Sequence, residues 1–397
     1  MLELRQKVEA EVYGDILPFW LQHALDEEHG GFRGRIANDL TIDAHAGKGL
    51  ILNARILWTF AKAFHVRRDA AYLAAAQRAY EYLGRYFVDR DFGGVYWMLD
   101  VEGRPLDTKK RFYGQAFSVY ALAEYFHATG DNEALALALR LVEQIELHGH
   151  DNSRGGYFET CERDWTLATD QRLSEVDMDE KRSMNTHLHL LEAYATLLRY
   201  HEDARVRLRL RELIGIFLDR IIHPISQHSI LFFDEEWKPR SKKISFGHDI
   251  ETSWLLCEAA EVLGDTALLG RVREVAVEMA EAVYAQGFDV DGGLLYEADP
   301  TGIIDTDKHW WPQAEAVVGL INAYQISGER TFLEAARKSW EFIEKFIVDH
   351  EHGEWFWLVS KAGVPDAGQD KVGPWKCPYH NSRACFEVME RCGKLAS

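Results

Sequence analysis

The sequence holds no apolar run approaching the ~18 residues that span a bilayer. Its opening, Met1-Leu2-Glu3-Leu4-Arg5-Gln6-Lys7, alternates charged with apolar side chains and contains no secretory h-region. Cysteine is scarce. The five present (Cys161, Cys257, Cys377, Cys385 and Cys392) form no CxxC pair, and an odd count suits free thiols in a reducing compartment. Basic charge is in deficit: 45 Lys+Arg against 64 Asp+Glu leave a net −19, which argues against a general phosphate-backbone binder. These absences lead us to expect a cytoplasmic protein that engages neither nucleic acid nor membrane. What is plentiful points to a core. Of 397 residues, 47% are hydrophobic and 12% aromatic, far from the composition of disordered chains.

Proline is rare too, at nine residues, and no Pro/Ser/Gly-rich linker divides the chain, so we expect one domain over 1–397. Glycine instead marks a period. Gly30-Gly31, Gly93-Gly94, Gly155-Gly156, Gly292-Gly293 and the single Gly353 each lead into aromatic or β-branched residues, at intervals of 63, 62, 137 and 61. The long interval is about two periods, and Ile230-Leu231-Phe232-Phe233-Asp234 stands in it with the glycines lost. Six units of about 62 residues result.

Each unit carries two segments with apolar residues at i, i+3, i+4 and i+7. The pattern predicts helices beginning near Asn53 and over 70–86, 111–129, 132–147, 182–200, 204–222, 247–263, 265–285, 309–327 and 330–347, completed by 2–27 and 378–392. Both terminal helices are amphipathic, not polar-faced caps, so they can pair. The expected fold is all-α, an (α/α)6 barrel of twelve helices in six hairpin repeats, with short connecting strands at one end. The helix after each glycine turn is the candidate inner helix. One mouth of the barrel is then lined by Arg55, Tyr113 and Phe117, Asn185 and His189, His248 and Glu251, Trp310 and Trp311, and Trp375 and His380.

Three histidines from three repeats at similar helix positions point to chemistry, although any one alone reads as a buried core imidazole. His248 and Glu251, at i and i+3, place a carboxylate where it can fix the imidazole tautomer. His187 and His189 face different sides of a helix and lack chelating spacing, so His187 reads as structural and no metal site is expected. Trp311, Trp375 and Arg55 offer flat apolar faces and a planar donor fork, which suit the C–H faces and hydroxyl rims of sugars. Of Trp310 and Trp311, one reads as core filling. Basic residues precede most inner helices (Lys48, Lys109-Lys110-Arg111, Lys181-Arg182, Lys242-Lys243, Lys308, Lys376), and the reading places them on a solvated rim, neutralised by Asp107, Asp179-Glu180, Asp249, Asp305 and Asp307.

Three motifs carry a family resemblance: Ser245-Phe246-Gly247-His248-Asp249-Ile250-Glu251, Trp310-Trp311-Pro312-Gln313-Ala314-Glu315-Ala316 and Gly373-Pro374-Trp375-Lys376-Cys377-Pro378-Tyr379-His380-Asn381. With Gly93-Gly94-Val95-Tyr96-Trp97 and Lys48-Gly49 through Arg55, the whole chain resembles the cellobiose 2-epimerases of the N-acylglucosamine 2-epimerase superfamily. The resemblance implies an (α/α)6 barrel that needs no cofactor and acts on a β-1,4-linked disaccharide such as cellobiose or lactose. It implies ring opening, removal of the C2 proton, a cis-enediol(ate), and protonation of the opposite face. His248 and His380 would be the two bases, Glu251 would support His248, and His189 would assist ring opening or polarise O1. Arg55 would stabilise the enediolate oxygen. Trp311 and Trp375 would stack on sugar rings, with Tyr113, Phe117, Asn185 and Asp177 lining the pocket. A ketose–aldose isomerase and an N-acylglucosamine 2-epimerase remain open on the same barrel. A glycoside hydrolase would need two carboxylates ~5–9.5 Å apart and leaves the histidines unexplained. A non-catalytic sugar binder would not need paired bases. The expected assembly is a monomer or weak homodimer.

Overall fold

The glycine period marks a turn with one repeated hydrogen-bond scheme. The computed structural model describes the backbone of residues 1–396 and side chains as far as Gly393, so Ser397 lies outside the described residues. In the second repeat the Asp89 N–H donates to the Gly94 carbonyl (3.0 Å) and the Gly93 N–H donates to the Asp89 carbonyl (2.9 Å). Gly93 and Gly94 take φ of 76° and 69°, left-handed values that disfavour any Cβ. A Cβ on Gly94 would also stand 2.7 Å from the Trp165 ring. Asp26, Asp151 and Asp349 head the same turn, and Asp289 heads one a residue shorter. The fourth repeat keeps the scheme without glycine. His223 N–H donates to the His228 carbonyl (3.0 Å), Gln227 N–H donates to the His223 carbonyl (2.9 Å), and Gln227 itself takes φ 58°.

Each turn feeds a short strand and then an inner helix: α3 (Leu50–Arg67), α5 (Phe112–Thr129), α7 (Met184–Tyr200), α9 (Phe246–Leu263), α11 (Trp310–Ser327) and α13 (Tyr379–Ala396). Burial of most residues of α3, α5, α7, α9 and α11 supports the inner assignment. The outer helices are α1 (Leu2–Glu11) and α2 (Leu17–His23), joined by one π turn into a single rod, then α4 (Ala70–Tyr82), α6 (Asn132–Gln144), α8 (Ala204–Ile216), α10 (Thr266–Gly287) and α12 (Arg330–Phe342). Local chemistry sets the hairpins. Gly130, Gly264 and Gly328 end inner helices in the left-handed conformation. Asp69, Asp131, Asp203 and Asp265 then cap the outer helices by accepting backbone N–H bonds.

The ring closes. Each inner helix packs on the next, and α13 packs on α3, while α1 packs on α13. At the turn end a circle of antiparallel strand pairs repeats the closure, ending with Ile36–Ala37 against Asp370–Val372. This is the expected (α/α)6 barrel. Among the described residues no helix is long and apolar enough to cross a membrane.

The cations before the inner helices overturn the solvated-rim reading. Lys48, Lys110, Arg182, Lys308 and Lys376 are fully buried. Their partners are the acids of the preceding glycine turns: Lys48–Asp26 at 2.7 Å, Lys110–Asp89 at 2.9 Å, Arg182–Asp151 at 2.5 Å, Lys308–Asp291 at 2.7 Å and Lys376–Glu354 at 2.5 Å. A buried charge needs a close counter-ion, and the turn places one directly beneath the strand. Lys242 and Lys243 lie exposed as expected, with Lys243 on Glu297 at 2.7 Å, and the half-buried Arg111 pairs with Asp107 at 2.7 Å as expected. The fourth repeat has lost both partners together, holding Ile244 and His223 in their places.

Candidate active site

All inner helices start from the strand end, so equal register means equal depth. Five residues beyond the first of each helix stand Arg55, Phe117, His189, Glu251 and Glu315, and Arg383 stands four beyond Tyr379. Each of the six is at most 3% exposed. They form a charged and aromatic floor around the barrel axis, beneath a mouth where His248, Trp311, Trp375, Asn185 and Asp177 remain partly open.

Arg383 occupies the centre of that floor. Its Nη2 donates to Glu251 Oε1 (2.5 Å) and Glu315 Oε1 (2.7 Å), and its Nη1 donates to Glu192 Oε1 and to the Tyr379 hydroxyl. Glu315 Oε1 also holds His380 Nδ1 at 2.6 Å, and Glu192 Oε2 holds His189 Nδ1 at 2.9 Å. An ionised carboxylate only accepts, so both imidazoles carry their proton on Nδ1 and present Nε2 as the free lone pair. His248 is held differently, with Nδ1 on Ser245 Oγ at 2.8 Å. The Trp311 ring lies 4.7 Å from the His248 ring and 5.5 Å from that of His380, joining the two.

Across the mouth, Arg55 Nη2 donates to the Tyr113 hydroxyl (2.9 Å), and the guanidinium lies 4.3 Å over Phe117. Among the described residues no carboxylate comes within ion-pair distance of Arg55, which leaves a buried cation short of an anion. Tyr113 touches the His189 ring at 5.0 Å and the Trp375 ring at 5.8 Å, and Trp375 also meets Trp97 at 5.7 Å.

The environment sets protonation. Burial lowers His248 to about 3, and the Arg55 charge adds to it. Burial, Arg55 and Arg383 hold His380 well below its ordinary value. Both imidazoles are therefore neutral near pH 7. Burial and the neighbouring Glu315 raise Glu251 to about 7. Burial also opposes ionisation of Glu192, but Arg383 and His189 outweigh it and hold that carboxyl at about 2. Glu251, Glu315 and His380 place potential ligand atoms within 4.8 Å of one another. Arg383 already donates to both of these carboxylates, at 2.5 and 2.7 Å.

The structure brings His248, His380, His189, Glu251, Arg55, Trp311, Trp375, Tyr113 and Phe117 into one contact network. Asn185 and Asp177 line an adjoining small cavity with Glu159 and Ser183, and the Asp177 carboxylate accepts from Ser174 of its own loop at 2.9 and 2.7 Å. One pairing is corrected. Glu251 turns to Arg383 and His380 instead of His248, whose Nδ1 is already engaged by Ser245 Oγ at 2.8 Å. His189 and Glu192 do pair at the i, i+3 spacing. Trp310, at 2% exposed, is the core member of the indole pair. Sequence reasoning missed Arg383, Tyr379 and Ser245, and did not assign Glu192 or Glu315 to the site. The signal available was register, since Glu315 and Arg383 match the depth of Arg55.

The model of the N-acylglucosamine 2-epimerase (GlcNAc 2-epimerase) family matches residues 30–384. A cellobiose 2-epimerase from Bacteroides fragilis is 46% identical over 387 residues, covering 97% of this chain and 98% of that protein. The structure of cellobiose 2-epimerase from Spirochaeta thermophila superposes with a TM-score of 0.92 at 43% identity, over 100% of this chain and 98% of its own. That from Bacillus thermoamylovorans gives 0.94 at 38% identity, over 98% and 100%. The barrel and its relatives define an isomerase, of the carbohydrate-epimerase class. The chain belongs to the N-acylglucosamine 2-epimerase family.

Proposed function

We propose that residues 1–397 act as one catalytic domain that epimerises C2 of the reducing-end sugar of a β-1,4-linked disaccharide. Cellobiose would give glucosyl-mannose and lactose would give epilactose, with no cofactor. The observation that carries this reading is the pair of neutral imidazoles, His248 and His380, both in contact with the same Trp311 ring. After ring opening, assisted by His189, one imidazole takes the C2 proton through Nε2. The C2–H electrons move into a C1–C2 double bond and the negative charge settles on O1. Arg55, buried and without a carboxylate partner, stabilises that oxygen as a preorganised donor. The developing anion raises the basicity of the second imidazole, which takes a proton from solvent and delivers it to the opposite face of C2, returning to its neutral form. The first histidine ends the turnover as an imidazolium and releases the C2 proton to solvent, so both imidazoles finish neutral. Trp311 stacks on the reacting sugar and Trp375 on the second ring, with Tyr113, Phe117, Asn185 and Asp177 completing the pocket.

Incubation with cellobiose and with lactose, followed by NMR of the products, tests the reading. The expected product is the C2 epimer without added metal or nucleotide. A ketose would indicate proton return to C1, and free glucose would indicate hydrolysis.

A further inference from the structure

Three histidines reach the mouth from three helices, yet two of them share one anchor. Glu315 holds His380 and Glu192 holds His189, and both glutamates are in turn held by Arg383. The guanidinium is 2% exposed and packs 4.4 Å over the Tyr379 ring and 4.8 Å over that of Trp254. Trp254 Nε1 fixes the other oxygen of Glu315 at 3.0 Å. A planar fork with donors on separate nitrogens suits this task, because it sets the direction of each carboxylate as well as its charge.

We propose that Arg383 is a positioning residue: through Glu192 and Glu315 it fixes the tautomer and aim of His189 and His380 together. It touches no substrate itself. Glu192, Glu251 and Glu315 all direct Oε1 at the one guanidinium. Without that charge, mutual repulsion in a buried site drives protons onto the carboxyls. A protonated Glu315 can donate to His380 Nδ1, which moves the imidazole proton to Nε2 and removes the lone pair needed at C2. The same exchange at Glu192 turns His189 over. One change at Arg383 thus acts on two histidines that it does not contact.

The inference rests on the proposed C2 chemistry, and its test separates the two. Nitrogen-15 NMR of the histidines in the unmodified protein reads the tautomers with no turnover required. The expected spectrum shows His189 and His380 with the proton on Nδ1 and a lone pair on Nε2. Arg383→Met should convert a large fraction of both to the other tautomer and lower kcat by about 10²-fold or more, with KM changed by less than about threefold. Arg383→Lys, which keeps the charge but not the fork, should recover part of kcat. Should Arg383→Met fail to fold, Glu315→Gln is read instead and should convert His380 alone. Unchanged tautomers in the folded variant, or Nε2–H imidazoles in the parent, overturn the proposal. A parent with Nδ1–H imidazoles but no C2 epimer overturns only the functional reading.

Discussion

Lys110 and Asp89, both wholly shielded from solvent, form an ion pair at 2.9 Å beneath the Gly93–Gly94 turn. Asp89 also accepts the Asp91 and Phe92 N–H groups and the Arg163 side chain, and its carboxyl is held well below the usual carboxylate range. Removing Lys110 takes away the one fully buried counter-ion of Asp89 and leaves it to the more exposed Arg163 alone. Lys110→Met should therefore cost about 3–5 kcal/mol in stability. Lys110→Met with Asp89→Asn should cost less than the sum of the two single changes, as the joint loss in the fourth repeat implies. Urea unfolding of the three variants measures the coupling, and strict additivity would show that the pair is not a unit.

His187 gives a pH dependence with a definite sign. It is fully buried, its Nε2 accepts the Tyr157 N–H at 2.9 Å, and its Nδ1 bonds the Ser183 carbonyl at 2.7 Å. Burial lowers it from 6.5 to about 3, so the unfolded chain binds this proton before the folded one does. Its contribution to stability is present above pH 6.5 and is lost as pH falls toward 3. Gln115 and Gln313 fill the same register and bond the turn backbone in the same way, at 3.0 and 2.7 Å. His187→Gln should hence fold normally and flatten the fall in stability between pH 6.5 and 3. An unchanged pH profile in thermal melts would remove His187 from this role.

Ser245 sets the His248 ring through its 2.8 Å contact. His248→Ala and His380→Ala should each lower kcat by ~10²–10⁴-fold with the fold intact. Ser245→Ala should act in the same direction but by only about tenfold, since it loosens the base without removing it. Steady-state kinetics alongside circular dichroism check all three. Near-normal turnover in a folded His248 or His380 variant would dismiss that residue.

Trp375 contacts Tyr113 and Trp97 at the open mouth, whereas Trp311 packs against both His248 and His380. Trp375→Ala should raise KM for a disaccharide more than for a monosaccharide, because stacking on the second ring is ground-state binding. Trp311→Ala should lower kcat as well. If Trp375 serves only the barrel wall, its removal instead costs about 3–5 kcal/mol in stability with KM unchanged.

The fold was legible because each repeat restates one local problem. A tight turn demands left-handed residues, a capped outer helix follows an inner one, and the glycine spacing shows both. What stayed hidden was pairing at a distance. The buried cations were matched to acids beside them in sequence, whereas Lys48 finds Asp26, 22 residues back across a turn. The same blindness hid Arg383, whose three glutamates come from three different helices, 191, 132 and 68 residues away. Side chains lining the mouth could be listed from helix starts, but that Glu251 pairs with Arg383 instead of His248 depends on which residues reach the axis.

The central claim is that a proton leaves C2 to one imidazole and returns from another on the opposite face. Turnover of cellobiose in deuterium oxide, with NMR at C2 of the recovered disaccharide, measures this most directly. The account predicts the C2 epimer carrying solvent deuterium at C2, with no deuterium at C3 or in the second ring, and loss of this exchange in His248→Ala or His380→Ala. An epimer that keeps its original C2 hydrogen would contradict the account, because the hydrogen would then have moved without passing through a base open to solvent.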